Sequence, residues 1–308
     1  MKGLFFLLAF VSFSTLSQDY ERVDATIQLY PKRFNAPEEF SKFLTRDFFT
    51  EEEKVRAIYT WLIENVRYDP EEYKKFNYSF TNYRERNQKE EKTRAKIIER
   101  TLKEGVAVCE GYAFVFEKMC QLQGIENYVV QGDIKTHFED IGRPFTKRHG
   151  WNAAKIEGTW YLFDATWGAG KYIGKFIKQP SYFFYKTAPE QLIKSHYPEM
   201  VEDSFLLEII SFDDFSKAPL VISSELLFKD ILSPKGGTIL SFSSMNEVYF
   251  EIRTAAPKEI QYAYGGTKES VQFSEKEGIV TFTVPVQIGQ DSLLIYFDNQ
   301  PVLGYKVE

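Results

Sequence analysis

A thiol, an imidazole and a carboxylate follow one another along this chain. They are Cys109, His149 in the run His149-Gly150-Trp151-Asn152, and Asp164 in the run Asp164-Ala165-Thr166-Trp167-Gly168. A cysteine attacks a carbonyl only as thiolate, so it needs an imidazole to take its proton and a third group to hold that imidazole's tautomer. These are the residue types that thiol acyl transfer requires, in an order that fits a site built from one helix and two strands. Each also has a plainer reading. A free cysteine is most often a small buried hydrophobe, and a lone histidine beside Trp151 is an ordinary core or surface residue. Cys120 fits the plain reading, since it falls on an apolar helical face. Cys109 does not, because it sits at a glycine-flanked helix entrance beside Glu110.

The elements that must position these groups are legible around them. From Gly105 to Cys120 a loop passes into a helix whose apolar positions Ala113, Phe116, Met119 and Cys120 recur at helical spacing. Cys109 then lies near the first turn, where unsatisfied N–H groups favour a thiolate. Gly105 and Gly111 flank it, and as small residues they are read as leaving room for a substrate backbone. Lys147 to Ile156 and Thr159 to Phe163 read as two strands joined by a turn at Glu157-Gly158, a hairpin that brings His149 close to Asp164. Upstream, Thr50-Glu51-Glu52-Glu53 has the capping-box pattern. Val55, Ile58, Tyr59, Leu62, Ile63 and Val66 then predict a helix ending near Arg67. Tyr68 to Asn87 shows no period and is expected to be a long loop, and Ala95, Ile98 and Leu102 mark a helix leading to the cysteine. His137, in the mixed-charge loop from Thr136 to Thr146, is the runner-up imidazole. His196 is expected to be an interdomain structural residue.

These blocks carry a resemblance. Val108-Cys109-Glu110-Gly111-Tyr112-Ala113, His149-Gly150-Trp151-Asn152 and the segment from Tyr161 to Gly168 resemble the catalytic blocks of the transglutaminase-like superfamily, and Trp61 to Asp69 is similar to the segment preceding them. Phe183 to Glu199, Phe212-Asp213-Asp214-Phe215 and Pro234-Lys235-Gly236-Gly237 resemble the kyphoscoliosis-peptidase branch. The resemblance implies an α+β fold with a papain-like core, a catalytic Cys109–His149–Asp164 triad, and a following immunoglobulin-like antiparallel β-sandwich. It implies an enzyme acting on peptide or glutamine carbonyls, a peptidase or a transglutaminase-like transferase, although some members have lost activity. The chain departs from cysteine peptidases at Thr101-Leu102-Lys103-Glu104, where no glutamine stands to donate to an oxyanion. That departure motivates the alternative of an inactive envelope binding or scaffold protein that retains the cleft.

Composition bounds the rest. With 308 residues, 44% of them hydrophobic and 27% charged, the chain has room for two globular domains. The net charge of −6, without a basic stripe interleaved with aromatics, argues against nucleic-acid binding. No calcium loop of the EF-hand kind occurs, and neither metal nor cofactor is expected. Lys2, the apolar run Leu4 to Phe13 and Thr15-Leu16-Ser17 have the pattern of a cleavable secretory signal over residues 1–17. The run is too short to span a bilayer, so a secreted or periplasmic protein without a transmembrane segment is expected. Export raises the prospect of a disulfide, but Cys109 and Cys120 on one helix would be roughly 16 Å apart, beyond bridging. The expected organisation is a transglutaminase-like domain over 18–200 and a β-sandwich over 201–308. In the latter, strands are read at Thr238–Phe242, Glu247–Arg253, Glu259–Tyr264, Gly278–Val284 and Ser292–Phe297. The expected partners are a protein or peptide substrate and, through the sandwich, a component of the cell envelope.

Overall fold

Thr50 starts the fold's central helix as the sequence predicts. Its hydroxyl accepts from the Glu53 N–H while the Glu53 carboxylate takes the Thr50 N–H, and the helix runs over Glu51–Asn65. It carries a continuous buried face that includes Val55, Ile58, Tyr59, Trp61, Leu62 and Ile63. The computed structural model describes residues 19–75, 83–222, 229–241 and 246–308. The proposed leader over 1–17 and Phe242 lie outside the described residues.

Around the central helix stand Tyr20–Gln28, Pro37–Asp47 and the cysteine helix, Cys109–Leu122. A 22-residue helix, Tyr83–Glu104, leads into the cysteine helix. Its start corrects the expected loop from Tyr68 to Asn87: that stretch holds a short 3-10 turn, Pro70–Lys75, and the first residues of the long helix. The polar run of the sequence masked the helix's period, since from Lys89 to Arg100 most positions are solvent-exposed.

Against the cysteine helix lies a five-stranded antiparallel sheet in the order Tyr185–Thr187, Thr159–Phe163, His149–Ile156, Asn127–Ile134 and His196–Pro198. The predicted hairpin is its centre, with strands pairing from Asn152↔Phe163 to Ile156↔Thr159. Its turn residues Glu157 and Gly158 both have positive φ, at 50° and 85°. The histidine strand, His149–Ile156, is buried at every position except Lys155, because the cysteine helix covers it. Asn152 fastens the two layers, donating its Nδ2 to the Ala113 carbonyl at 3.0 Å. One hydrophobic core joins these elements, from Val23 to Leu192.

The segment entering the histidine strand is held by charge. Buried Asp133 takes Arg143, Arg148 and the Thr146 N–H, and Asp140 takes both arginines as well. Burial would push Asp140 up, but the backbone N–H of Thr136 and the arginines hold it well below the usual carboxylate range. Next to this knot, buried Lys135 donates to the carbonyls of Phe215, Ala218 and Pro219. Burial drives its ammonium down to about 7.

A second core extends from Ile239 to Val307. It lies between two sheets. One has the order Leu220–Val221, Gln300–Val307, Ser292–Phe297, Ile260–Tyr264 and Thr267–Val271, with Thr238–Ile239 pairing parallel to Gln300–Val307. The other has the order Asp230–Ser233, Glu247–Arg253, Ile279–Pro285 and Phe273–Lys276. Phe250 and Phe282 stack face to face across the second sheet, 4.7 Å apart. Four expected strands are present within a residue at each end. The expected strand Thr238–Phe242 is shorter, and Asp230–Ser233, Thr267–Val271, Phe273–Lys276 and Gln300–Val307 were not foreseen.

Candidate functional site

Cys109 is the first residue of its helix. Its N–H is therefore one of the donors without an intrahelical acceptor, and the thiol lies at the positive end of the helix. The residues beside it do not serve the purpose the sequence suggested. A Cβ at Gly111 would come within 2.5 Å of the Ala107 side chain and of Thr101 Oγ1. Gly105, at φ +66°, has the Arg33 guanidinium where its Cβ would be. At both glycines the space is filled by neighbouring protein atoms, which corrects their reading as room for a substrate.

The fold brings Cys109, His149 and Asp164 to one place. His149 Nε2 and Asp164 Oδ2 are 2.7 Å apart, which leaves Nδ1 for the thiol. His149 and Asp164 are 5% and 1% exposed. Burial alone would lower the imidazole's pKa, but the Asp164 charge, the Asp164 hydrogen bond and the hydrogen bond to Cys109 raise it to about 10. Burial likewise opposes a thiolate at Cys109, yet the His149 partnership brings the thiol below its ordinary value, helped by Tyr73 and opposed by Glu110. Both shifts favour a thiolate–imidazolium pair. Cys120, eleven residues along the same helix, is free and buried, and its thiol is pushed up by burial alone. Its burial on the apolar face of the helix matches the expected position.

Asp164 is both a cap and a partner. Its Oδ1 accepts the backbone N–H groups of Thr166 and Trp167 at 2.8 and 3.0 Å, starting the short helix Ala165–Ala169, while Oδ2 faces the imidazole. Burial raises a carboxyl's pKa, but the two histidines on this group hold it far down.

The second histidine is His196, whose Nε2 is 3.0 Å from the same Oδ2. This corrects the expectation of an interdomain structural role. The residue is in the edge strand His196–Pro198, wholly within the five-stranded sheet and against the site. Only the pairing of that strand beside Asn127–Ile134 brings it there, and its sequence context, Ser195-His196-Tyr197-Pro198, shows none of it. His137 is exposed in its loop and bonded to Thr136, away from the site.

Aromatic rings enclose the two imidazoles. Trp151 stacks on His149 at 6.0 Å, and Trp167 meets His196 edge-on at 4.5 Å. In front, the Tyr73 hydroxyl is 3.4 Å from the Cys109 sulfur, and Cys109 is 4% exposed. Tyr73 was not singled out in the sequence because it lies in the aperiodic stretch after the central helix. The polar atoms of His149, Asp164 and His196 lie within 4.8 Å of one another. Asp164 Oδ2 is already shared between two imidazole nitrogens and Oδ1 between two backbone donors. The cluster is a closed hydrogen-bond network rather than a vacant cation site.

Residues 39–165 match the family model of the transglutaminase-like superfamily. The chain is 27% identical over 287 residues to the kyphoscoliosis peptidase of Mus musculus and 28% identical over 288 residues to that of Homo sapiens. Those alignments cover 90% and 91% of this chain and 40% of each relative, so the chain spans under half the length of the curated relatives it matches. A solved structure described as a TGase is 18% identical over 58% of this chain and 40% of its own, with a TM-score of 0.29. Among the described residues no helix is long and apolar enough to cross a membrane.

Proposed function

Because the chain carries a domain of the transglutaminase-like superfamily, we propose that it is a thiol acyl-transfer enzyme, a peptidase or a transglutaminase-like transferase that acts through Cys109, His149 and Asp164. One observation carries the reading: within and at the edge of the matched region, a helix-terminal thiol, an imidazole and a buried carboxylate converge in hydrogen-bonding order. The Cys109 thiolate adds to an amide carbonyl. The His149 imidazolium gives its proton to the departing amine, leaving a thioester and a neutral imidazole. Water or a second amine then attacks the thioester, loses its proton to His149 and restores the thiolate. Asp164 keeps the Nε2–H tautomer through both steps and balances the imidazolium charge.

Charge on the tetrahedral oxygen needs donors. The Cys109 N–H at the helix start is one, and the Tyr73 hydroxyl, already within reach of the sulfur, is the second. A tyrosine thus takes the part for which no glutamine stands in the sequence. Export by the 1–17 leader, division into domains at 200 and 201, an immunoglobulin-like topology for the two-sheet half, and an envelope partner for that half complete the proposal.

The nearly complete burial of the thiol beneath Tyr73 favours a second reading, a non-catalytic scaffold that retains the cleft. One experiment separates the two. Wild-type and Cys109→Ala protein are incubated with a labelled amine and casein, with cleavage and amine incorporation both scored, and Cys109 is titrated with iodoacetamide. Cysteine-dependent cleavage or incorporation is expected, with alkylation faster than that of free cysteine at neutral pH. A thiol no more reactive than free cysteine, with neither product formed, leaves the scaffold.

A further inference from the structure

The Asp164 carboxylate receives four donors, and the proposed chemistry uses only one of them. Two backbone N–H groups hold Oδ1, and His149 takes one side of Oδ2; the other side of Oδ2 is taken by His196, an imidazole whose second ring nitrogen faces the Ser195 hydroxyl. We infer that His196 is a positioning residue: its Nε2–H clamps the Asp164 carboxylate in the orientation that aligns His149 with Cys109. The inference rests on the reading of Cys109 and His149 as the reactive pair.

The polarity of the contacts follows from the partners. A carboxylate oxygen only accepts, so at 3.0 Å the nitrogen facing it must carry hydrogen. Neutral His196 is then unprotonated at Nδ1, and there the Ser195 hydroxyl, 2.8 Å away, donates. The hydroxyl's other contact, the Leu192 carbonyl at 3.4 Å, is longer. Full burial opposes charging of this imidazole and, with the charge of His149 beside it, lowers its pKa despite the Asp164 carboxylate that raises it. One line of hydrogen bonds therefore runs from Ser195 through His196, Asp164 and His149 to Cys109.

A neutral donor suits this position. A second imidazolium would compete with His149 for the Asp164 charge, whereas an N–H donor stabilises the carboxylate and fixes its torsion without adding charge. Tyr59 and Tyr112 lie behind Asp164, and Tyr68, Tyr73 and Glu110 lie around the thiol. Asp203 lines the small cavity beside His196 and is bonded to Tyr128. Trp151, Trp167 and Phe184 close the remaining sides of His196 with rings.

Three measurements test the clamp: the rate of Cys109 alkylation by iodoacetamide against pH, turnover split into kcat and KM, and the imidazole ¹⁵N spectrum of the wild type. For His196→Phe, which keeps a ring but loses the donor, the apparent thiol pKa is expected to rise by about one unit. Its kcat should fall about 10- to 100-fold with KM nearly unchanged, the usual size of outer-shell effects. His196→Gln retains an N–H donor and should stay within about threefold of wild type. The wild-type spectrum should show His196 neutral and protonated at Nε2, a result that does not depend on any variant folding. A folded His196→Phe with the wild-type pH profile and kcat overturns the inference, and so does a wild-type His196 protonated at Nδ1. A wild-type Cys109 that titrates like free cysteine instead removes the reactive pair itself, which is the failure of the parent reading.

Discussion

At the scale of single residues, the site divides one carboxylate between two duties. Asp164→Asn can keep the cap, since the amide oxygen still accepts from Thr166 and Trp167, but it turns an NH2 toward two imidazoles that already present N–H. His149 must then adopt the wrong tautomer, and turnover is expected to fall about 10⁴-fold. Thermal melts run beside the turnover assay should show the fold retained. A variant with near-wild-type turnover would take Asp164 out of the mechanism. Tyr73 admits an equally direct test. As an oxyanion donor it makes Tyr73→Phe lose about 10²-fold in kcat. As a mere cover over the thiol, it would leave kcat unchanged in the phenylalanine variant.

At the scale of elements, the cysteine helix is fixed from below by contacts that tolerate no extra atom. Gly111 has Ala107 and Thr101 where a methyl group would go, so Gly111→Ala must lift the first turn of the helix or displace the Tyr83–Glu104 helix that carries Thr101. Overpacking of this kind costs about 1–3 kcal/mol. The same shift moves Cys109 away from His149. Denaturant unfolding and iodoacetamide kinetics on Gly111→Ala should therefore worsen together. If stability drops while alkylation keeps its wild-type rate and pH dependence, the helix start is not what sets the thiol's place.

At the scale of the whole molecule, the buried pair ties folding to pH. Folding lowers the Cys109 pKa and raises that of His149 to about 10, so a proton is in effect passed from thiol to imidazole. In the unfolded chain both groups are deprotonated above about pH 8.5. Between there and about 10 the folded pair keeps one proton that the same two groups lack in the unfolded chain, so the pair's contribution to stability falls as pH rises through that window. Asp164 acts at the other end. Its depressed pKa gives stability above the ordinary carboxylate value that is lost on acidification. Lys135, driven down to about 7 by burial, adds stability as pH rises over the same alkaline window, so the pair's alkaline shoulder is read by comparing melting temperatures of wild type and Cys109→Ser from pH 3 to 11. In Cys109→Ser the alkaline shoulder should move to lower pH, because the imidazolium has lost its thiolate. An alkaline shoulder that does not respond to Cys109→Ser would mean that the two groups are not paired.

What the sequence determined by itself was local chemistry and local shape. The Thr50 capping box, the Glu157-Gly158 turn and the helical spacing after Cys109 are short-range signals, and each placed its element within a residue or two. Cys109, His149 and Asp164 were nameable because the helix start and the hairpin that position them are contiguous pieces of chain. The tertiary structure decided what depends on distant packing. His196 comes to Asp164 only because an edge strand 32 residues after the aspartate pairs beside Asn127–Ile134, and strand pairing at that separation leaves no periodic trace. Gly105 and Gly111 looked like openings, since a missing side chain reads the same in sequence whether ligand or protein fills the space. Arg33, Ala107 and Thr101 fill it here. Tyr73 lay in an aperiodic aromatic stretch, and only the fold could set its hydroxyl on the sulfur, because a position made by a turn rather than a repeat has no signature of its own.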